Sequence, residues 1–117
     1  MGFADTLAKR TKTKEQLARE YAEALECRTT KEVERVIRFF KEDCNRAAEE
    51  GKHTLKRNYW GETWWHMGER PFDERAVAKR VKAILQQEGF KKLVVRPLHE
   101  SDYDLDCSIG VKIIVKW

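Results

Sequence analysis

A chain of 117 residues can bury the continuous core of one domain and is too short for several. Its 24 basic and 20 acidic residues leave a net charge of +4, and 41% of its residues are hydrophobic, which excludes the composition of a disordered chain. Because both signs of charge are spread along the chain without a basic or acidic tail, composition alone requires no particular nucleic-acid or protein partner.

The cysteines and the apolar runs indicate the compartment. Cys27, Cys44 and Cys107 are odd in number and none lies in a C-x-x-C pair, which is typical of reduced thiols. No apolar run reaches the length that crosses a bilayer, and the first residues lack the apolar stretch of a signal peptide. We therefore expect a cytoplasmic protein without a membrane partner.

Two capping pairs predict where helices begin in the first half of the chain. Thr13 with Gln16 forms the S/T-x-x-E/Q pattern that starts a first helix, and Thr29 with Glu32 starts a second. Residues 1–12 are expected to extend the first helix or to fray. The second helix carries an apolar stripe at spacings of three and four, formed by Val33, Val36, Ile37, Phe40, Cys44, Ala47 and Ala48.

Glycines divide the second half of the chain into further elements. Gly51 is the expected stop of the second helix, and a strand follows over residues 54–59. The range Trp60–Pro71 contains two glycines and is predicted to be a loop. A third helix is predicted from the capping residue Asp73 to Gly89.

The last third of the chain predicts two strands. Phe90–Arg96 is the first, ended by Pro97 because proline removes a ladder donor, and the acidic stretch Glu100–Asp106 is a connection. Ile109–Trp117 places an apolar residue at every second position, which is the strongest strand pattern in the chain. The prediction for residues 1–117 is one α+β domain with two or three helices on one face of a three-stranded antiparallel sheet. Its element order is α-α-β-α-β-β, with the last strand central.

An aromatic segment is the first candidate contact site. Trp60, Trp64 and Trp65 lie within six residues of one another. Tryptophan is enriched at recognition hot spots, and its ring stacks on nucleobases or holds cations. Alternatively, the segment folds back and a tryptophan plugs one end of the core. We expect at least one of the three to be exposed at a contact surface.

The sheet face turned away from the helices is predicted to be basic. No Asp or Glu shares it within the predicted strands, and basic groups around a stacking ring suit a single-stranded nucleic acid. The same pattern also fits a solvated face whose lysines protect strand edges, or a face covered by the first helix or by a second subunit. The cations of this face are Lys56, Lys92, Arg96, Lys112 and Lys116, and Thr54, Asn58, Trp60, Val94 and Ile114 complete it.

No catalytic, cofactor or metal site is predicted. The alternating carboxylates of residues 102–106 lack the glycine and the glutamate that a calcium loop requires. His53, His66 and His99 have no second ligand at the spacing of a zinc site. An enzyme would need a pocket that joins His66 or His99 to the acidic stretch Glu100–Asp106.

These features predict a small non-enzymatic binding module that contacts a protein, or a second copy in a homodimer, through the Trp60–Trp65 segment and the sheet face. The alternative is single-stranded nucleic-acid binding through the basic face. The second half of the chain, with Glu88-Gly89-Phe90 leading from a helix into a strand and a last strand closing on Trp117, is similar in manner to many small bacterial and phage-borne proteins. That resemblance implies no activity.

Overall fold

The computed structural model describes residues 2–65, 71–101 and 106–117, with the side chains of 62–65, 101 and 106 outside the description. Three helices and three strands account for most of these residues. The third helix continues into a short 3-10 turn, Gln86–Glu88. The elements in chain order are α1 Phe3–Arg10, α2 Lys14–Glu49, β1 Thr54–Trp65, α3 Glu74–Leu85, β2 Lys92–Ser101 and β3 Asp106–Lys116.

The strands form one antiparallel sheet in the order β1-β3-β2, so the last strand is central. On β3, Val115 pairs with Leu55 of β1 on one side and with Leu93 of β2 on the other. Helices α2 and α3 pack on each other and on this sheet. The predicted fold class, element order and central strand are therefore confirmed.

The core lies between the two helices and one face of the sheet, called here the inner face. The β3 residues at alternate positions on this face are at most 2% exposed, as strict strand alternation requires. Helix α2 contributes Val36 and Phe40, and α3 contributes residues of its apolar stripe. The buried residues of β3 and α3 in this cluster are Ile109, Val111, Ile113, Val115, Val77, Ala78, Val81 and Leu85.

The predicted helix boundary at Thr29 is wrong, because α2 runs through it without a break. The Thr29 hydroxyl donates to the Leu25 carbonyl oxygen (2.8 Å) and accepts from the backbone N–H of Asp73 (3.2 Å). It therefore joins α2 to the start of α3. The Glu32 carboxylate, expected to complete a cap, forms an ion pair with Arg35.

The N-terminal part of the chain projects from this core. The predicted Thr13–Gln16 capping box is present at the start of α2. Residues 3–10 form a helix of their own, separated from α2 by the extended residue Thr11. At about 1.5 Å per residue, the 36 residues of α2 span roughly 54 Å, and the molecule is 74 Å in its longest dimension.

Two predicted strand ends are also wrong. β1 continues to Trp65, so the first part of the predicted loop is a strand, and Gly61 lies in a register shift between Trp60 and Thr63. Threonine and tryptophan favour strands, and a glycine within a strand often marks such a bulge. β2 continues through Pro97 to Ser101, which is possible because β2 is an edge strand that pairs only with β3.

Candidate functional site

The sheet register brings the five predicted cations to the face turned away from the helices, called here the outer face. Lys116 pairs with Lys92, and Lys112 pairs with Arg96. Lys56 pairs with Ile114, so it lies beside these two rows. Since side chains at alternate strand positions share a face, all five belong to the same surface.

These cations are accessible to a partner. Lys56, Lys92, Arg96 and Lys116 are exposed, while Lys112 on the central strand is half-buried. None of the five forms an ion pair with another residue of the described part of the chain. Their charges are therefore not neutralised by described neighbours. Neither α2 nor α3 covers them, because both helices pack on the inner face.

Apolar side chains lie among the cations. Val94, Leu98 and Ile114 are half-buried, and Trp60 keeps 37% of its surface exposed. The expectation that no carboxylate shares this face is wrong, because the extension of β2 past Pro97 adds Glu100 at the end furthest from Lys92.

Gly110 lies opposite Trp60 in the sheet and is buried against the β1 backbone. The two residues pair across the β1–β3 ladder. A Cβ atom at Gly110 would overlap the Tyr59 carbonyl oxygen and approach Trp60 Cα at 2.9 Å, so this position tolerates no side chain. The indole therefore has no side chain beside it from its directly paired residue, and the 37% of Trp60 that stays exposed is available for stacking.

The remaining residues of the predicted aromatic site are only partly described. Trp64 and Trp65 pair with Cys107 and Asp106 at the end of the β1–β3 ladder, and their side chains lie outside the described residues. His66 lies outside them too, as do residues 102–105 of the acidic stretch.

A cleft of about 480 Å³ opens beside Trp60. It lies between α2, β1 and the segment before α3. Inside it, Arg35 pairs with Glu32, which is 7% exposed, and also donates to the Trp60 carbonyl oxygen (3.0 Å). Gly61 is required here, because a Cβ atom would overlap the Phe72 ring and the Glu32 carboxylate. The described lining is Arg28, Lys31, Glu32, Arg35, Trp60, Gly61, Pro71 and Phe72.

Sequence reasoning missed the cations of this cleft. Arg28, Lys31 and Arg35 follow one another at spacings of three and four, which places them on one side of a helix. The pattern was hidden because a helix boundary was expected at Thr29. With α2 continuous, the three cations extend positive charge from the edge of the sheet onto the helix.

The His99–Glu74 pair and the Cys44 thiol each combine a titratable group with burial in the described part of the chain. His99 Nδ1 lies 3.8 Å from Glu74 Oε1, and Glu74 is 4% exposed. Burial, with a smaller effect of the Asp43 charge, raises the pKa of Cys44 to about 11, so its thiol is protonated at neutral pH. Within the described ranges, no three His, Cys, Asp or Glu side chains are placed to hold a metal ion.

Comparison of the chain with protein-family models, with curated proteins and with solved structures gave no match. Among the helices described, none combines the length and the apolar character needed to cross a membrane. Functional inference therefore depends on the geometry and charge of the surface itself.

Proposed function

We propose that this protein binds single-stranded nucleic acid on the outer face of its sheet. The observation that carries the proposal is the placement of five cations on one uncovered sheet face, with an exposed Trp60 beside them. A backbone of phosphates is attracted to such a surface without a sequence-specific contact. Unpaired bases are available for stacking on an aromatic ring, whereas bases in a duplex are not.

A second copy fits this face poorly, although self-association through it was expected from the sequence. Two outer faces brought together would oppose two sets of five like charges. Repulsion between desolvated like charges disfavours such an interface. The single described carboxylate of this face, Glu100, lies at one end and cannot offset that repulsion across the surface.

The cleft beside Trp60 supports the same proposal. Trp60 borders both the outer face and the cleft, whose described cations are Arg28, Lys31 and Arg35. Because Arg35 is paired with Glu32, the exposed cation that a strand would meet after it crosses the outer face and passes Trp60 is Lys31. This continuity favours an extended polyanion over a small anion held at one point.

Fluorescence polarisation of a labelled oligothymidylate, titrated at several salt concentrations, tests the proposal. We expect binding that weakens as salt rises, with a slope of log K against log salt of up to about −3.5 if all five cations contact phosphates. The double variant Lys112→Glu/Arg96→Glu should weaken binding at least roughly tenfold. The matched control Lys41→Glu/Lys82→Glu, with the same charge change at exposed helix positions, should leave most of the affinity.

Trp60→Ala separates stacking from charge. Loss of one stacked base should weaken binding roughly tenfold while leaving the salt slope unchanged, because no phosphate contact is lost. Absence of binding at low salt would refute the proposal. Equal losses in the outer-face and control double variants would also refute it, since attraction would then follow net charge and not this surface.

A further inference from the structure

The N-terminal arm, defined as residues 2–24, exposes apolar side chains that cover no part of the core. Every described residue from Gly2 to Ala24 is exposed. Leu17 is 53% exposed and Tyr21 42%, and in α1 the values are 77% for Phe3 and 48% for Leu7. An exposed run of this kind marks an interaction surface more often than isolated exposed residues do.

The arm also lacks the packing that stabilises helices in proteins. Isolated helices shorter than about 12–15 residues are marginal in water, and α1 has eight residues with none buried. In α2, Leu17, Tyr21 and Ala24 follow one another at spacings of four and three, so they form a stripe on one side. A stripe of this spacing is the part of a helix that packs against another helix.

One further exposed apolar residue, Phe39, lies on the same side of α2 near the core, beyond the cleft residues Arg28, Glu32 and Arg35. Tyr21 and Phe39 are separated by 18 residues, about five helical turns, and so lie on the same side. Phe39 is 37% exposed, with the Arg35 and Arg38 guanidinium groups 5.7 and 5.1 Å from its ring centroid.

Charge along the arm is polarised. Residues 9–19 contain five cations and one carboxylate, whereas residues 20–26 contain three carboxylates and no cation. Two of these carboxylates have intramolecular partners, since Glu20 pairs with Lys12 (2.6 Å) and Glu26 with Arg80 (2.8 Å). Both pairs are solvent-exposed, and such pairs contribute little energy that would oppose rearrangement.

We propose that two copies of this chain pair their N-terminal arms antiparallel, with Leu17, Tyr21 and Ala24 in the contact. With its midpoint near Glu20, the antiparallel arrangement sets residues 14–19 of each copy, which include Lys14 and Arg19, against residues 21–26 of the other, which include Glu23 and Glu26. A parallel arrangement would set the basic range 9–19 of one copy against the same range of the other. The antiparallel arrangement also aligns the helix dipoles favourably.

The contact is confined to residues 14–26, so it stays clear of the cleft cations Arg28, Lys31 and Arg35. Leu17, Tyr21 and Ala24 are then covered by a second copy. The dimer leaves the outer face of the sheet open and does not depend on nucleic-acid binding.

Sedimentation velocity of the full chain between about 1 and 100 µM tests the pairing. Wild type should dimerise, and Leu17→Arg/Tyr21→Arg should weaken dimerisation at least roughly tenfold. Ala22→Arg/Ala18→Arg is the matched control, with the same added charge on another side of the arm, and should still dimerise. Circular dichroism checks that all variants fold. A monomeric wild type over the whole range, or a dimer unaffected by Leu17→Arg/Tyr21→Arg, would overturn the proposal.

Cysteine crosslinking tests the orientation. The native Cys27 is exposed, and in an antiparallel pair with its midpoint near Glu20 the two copies of it lie about 20 Å apart, too far for a disulfide. We expect Glu20→Cys in a Cys27→Ser background to form a disulfide dimer on oxidation. Crosslinking through Cys27 in wild type, with none through Glu20→Cys, would instead indicate parallel arms and overturn the antiparallel arrangement.

Discussion

Two faces of one strand have opposite roles in this protein. Ile113 on the inner face is fully buried between the sheet and the helices, whereas its neighbour Ile114 is half-buried among the cations of the outer face. The two residues have the same side chain and adjacent positions, so what differs is only what covers them. Strand alternation therefore sets both the core and the surface proposed to bind nucleic acid.

The largest expected difference between the faces is in stability. Ile113→Ala should lower the free energy of unfolding by about 2–5 kcal/mol, because it removes buried methyl groups and leaves a cavity. Ile114→Ala should lower it by about 1 kcal/mol or less, because water can occupy the vacated surface. Urea denaturation measures both values, and equal losses would contradict the assignment of the two faces.

A substitution at Gly110 tests how closely β3 packs against the β1 backbone at this position. Gly110→Ala should cost about 1–3 kcal/mol, because the new methyl group would collide with the β1 backbone at Tyr59 and Trp60. Lys112→Ala, at the next outer-face position, should cost less, since its side chain meets no such obstacle. The same denaturation experiment compares the two variants. If Gly110→Ala left the free energy of unfolding unchanged, the β1 backbone would lie further from Gly110 than the structure places it.

The sequence could predict this two-faced sheet because the alternation in Ile109–Trp117 is a local pattern. The capping residue Asp73 and the positive-φ stops Gly51 and Gly89 were predictable for the same reason, since each meets a requirement of the adjacent helix end. The basic outer face could be predicted from the same alternation, because residues at every second position of a strand share one face of the sheet.

The errors arose where distant residues decide the local structure. The Thr29 hydroxyl bonds within α2 and to Asp73, a residue far along the chain, so its capping pattern was misleading. Pro97 does not end β2 because no strand pairs on the other side of that edge. The cleft cations Arg28 and Arg35 were missed because the capping pattern at Thr29 predicted a helix boundary between them.

Alkaline pH should affect the inner face first. Burial, followed by the hydrogen bond from its hydroxyl to Asp43 Oδ2 (2.8 Å), raises the pKa of Tyr59 above its ordinary value of 10.0, and burial raises the pKa of Cys44 from 9.0 to about 11. Both groups are protonated in the fold and ionise more readily when unfolded. The contribution of Cys44 to stability is therefore complete below pH 9 and is lost as pH rises from 9 to 11, whereas the contribution of Tyr59 is complete below pH 10 and is lost above it.

Tyr59→Phe tests the part that Tyr59 has in this pH dependence. It should cost about 1 kcal/mol at pH 7 through loss of the hydrogen bond to Asp43, and it should make the fall in Tm above pH 10 shallower than in wild type. Thermal unfolding across this range measures both effects. Parallel curves for the two proteins would show that Tyr59 ionisation does not contribute.

The smallest expected effect concerns the outer face, and its sign is opposite to that of the others. Lys92 and Lys116 are directly paired, and like charges in that position destabilise a sheet. Lys92→Glu should therefore raise the free energy of unfolding by about 0.2–1 kcal/mol. Lys56→Glu is the control. Lys56 pairs directly with Ile114, so its replacement relieves no repulsion between two directly paired cations.

Oligothymidylate binding is measured for the same two variants, Lys92→Glu and Lys56→Glu. Both remove a cation from the outer face, so both should weaken binding, while only Lys92→Glu should gain stability. That combination would mean that the Lys92–Lys116 pair lowers the stability of the sheet and also contributes to the binding of a polyanion. If Lys92→Glu gained stability and kept full affinity, Lys92 would have no part in binding, and the contact would rest on the other four cations, Lys56, Arg96, Lys112 and Lys116.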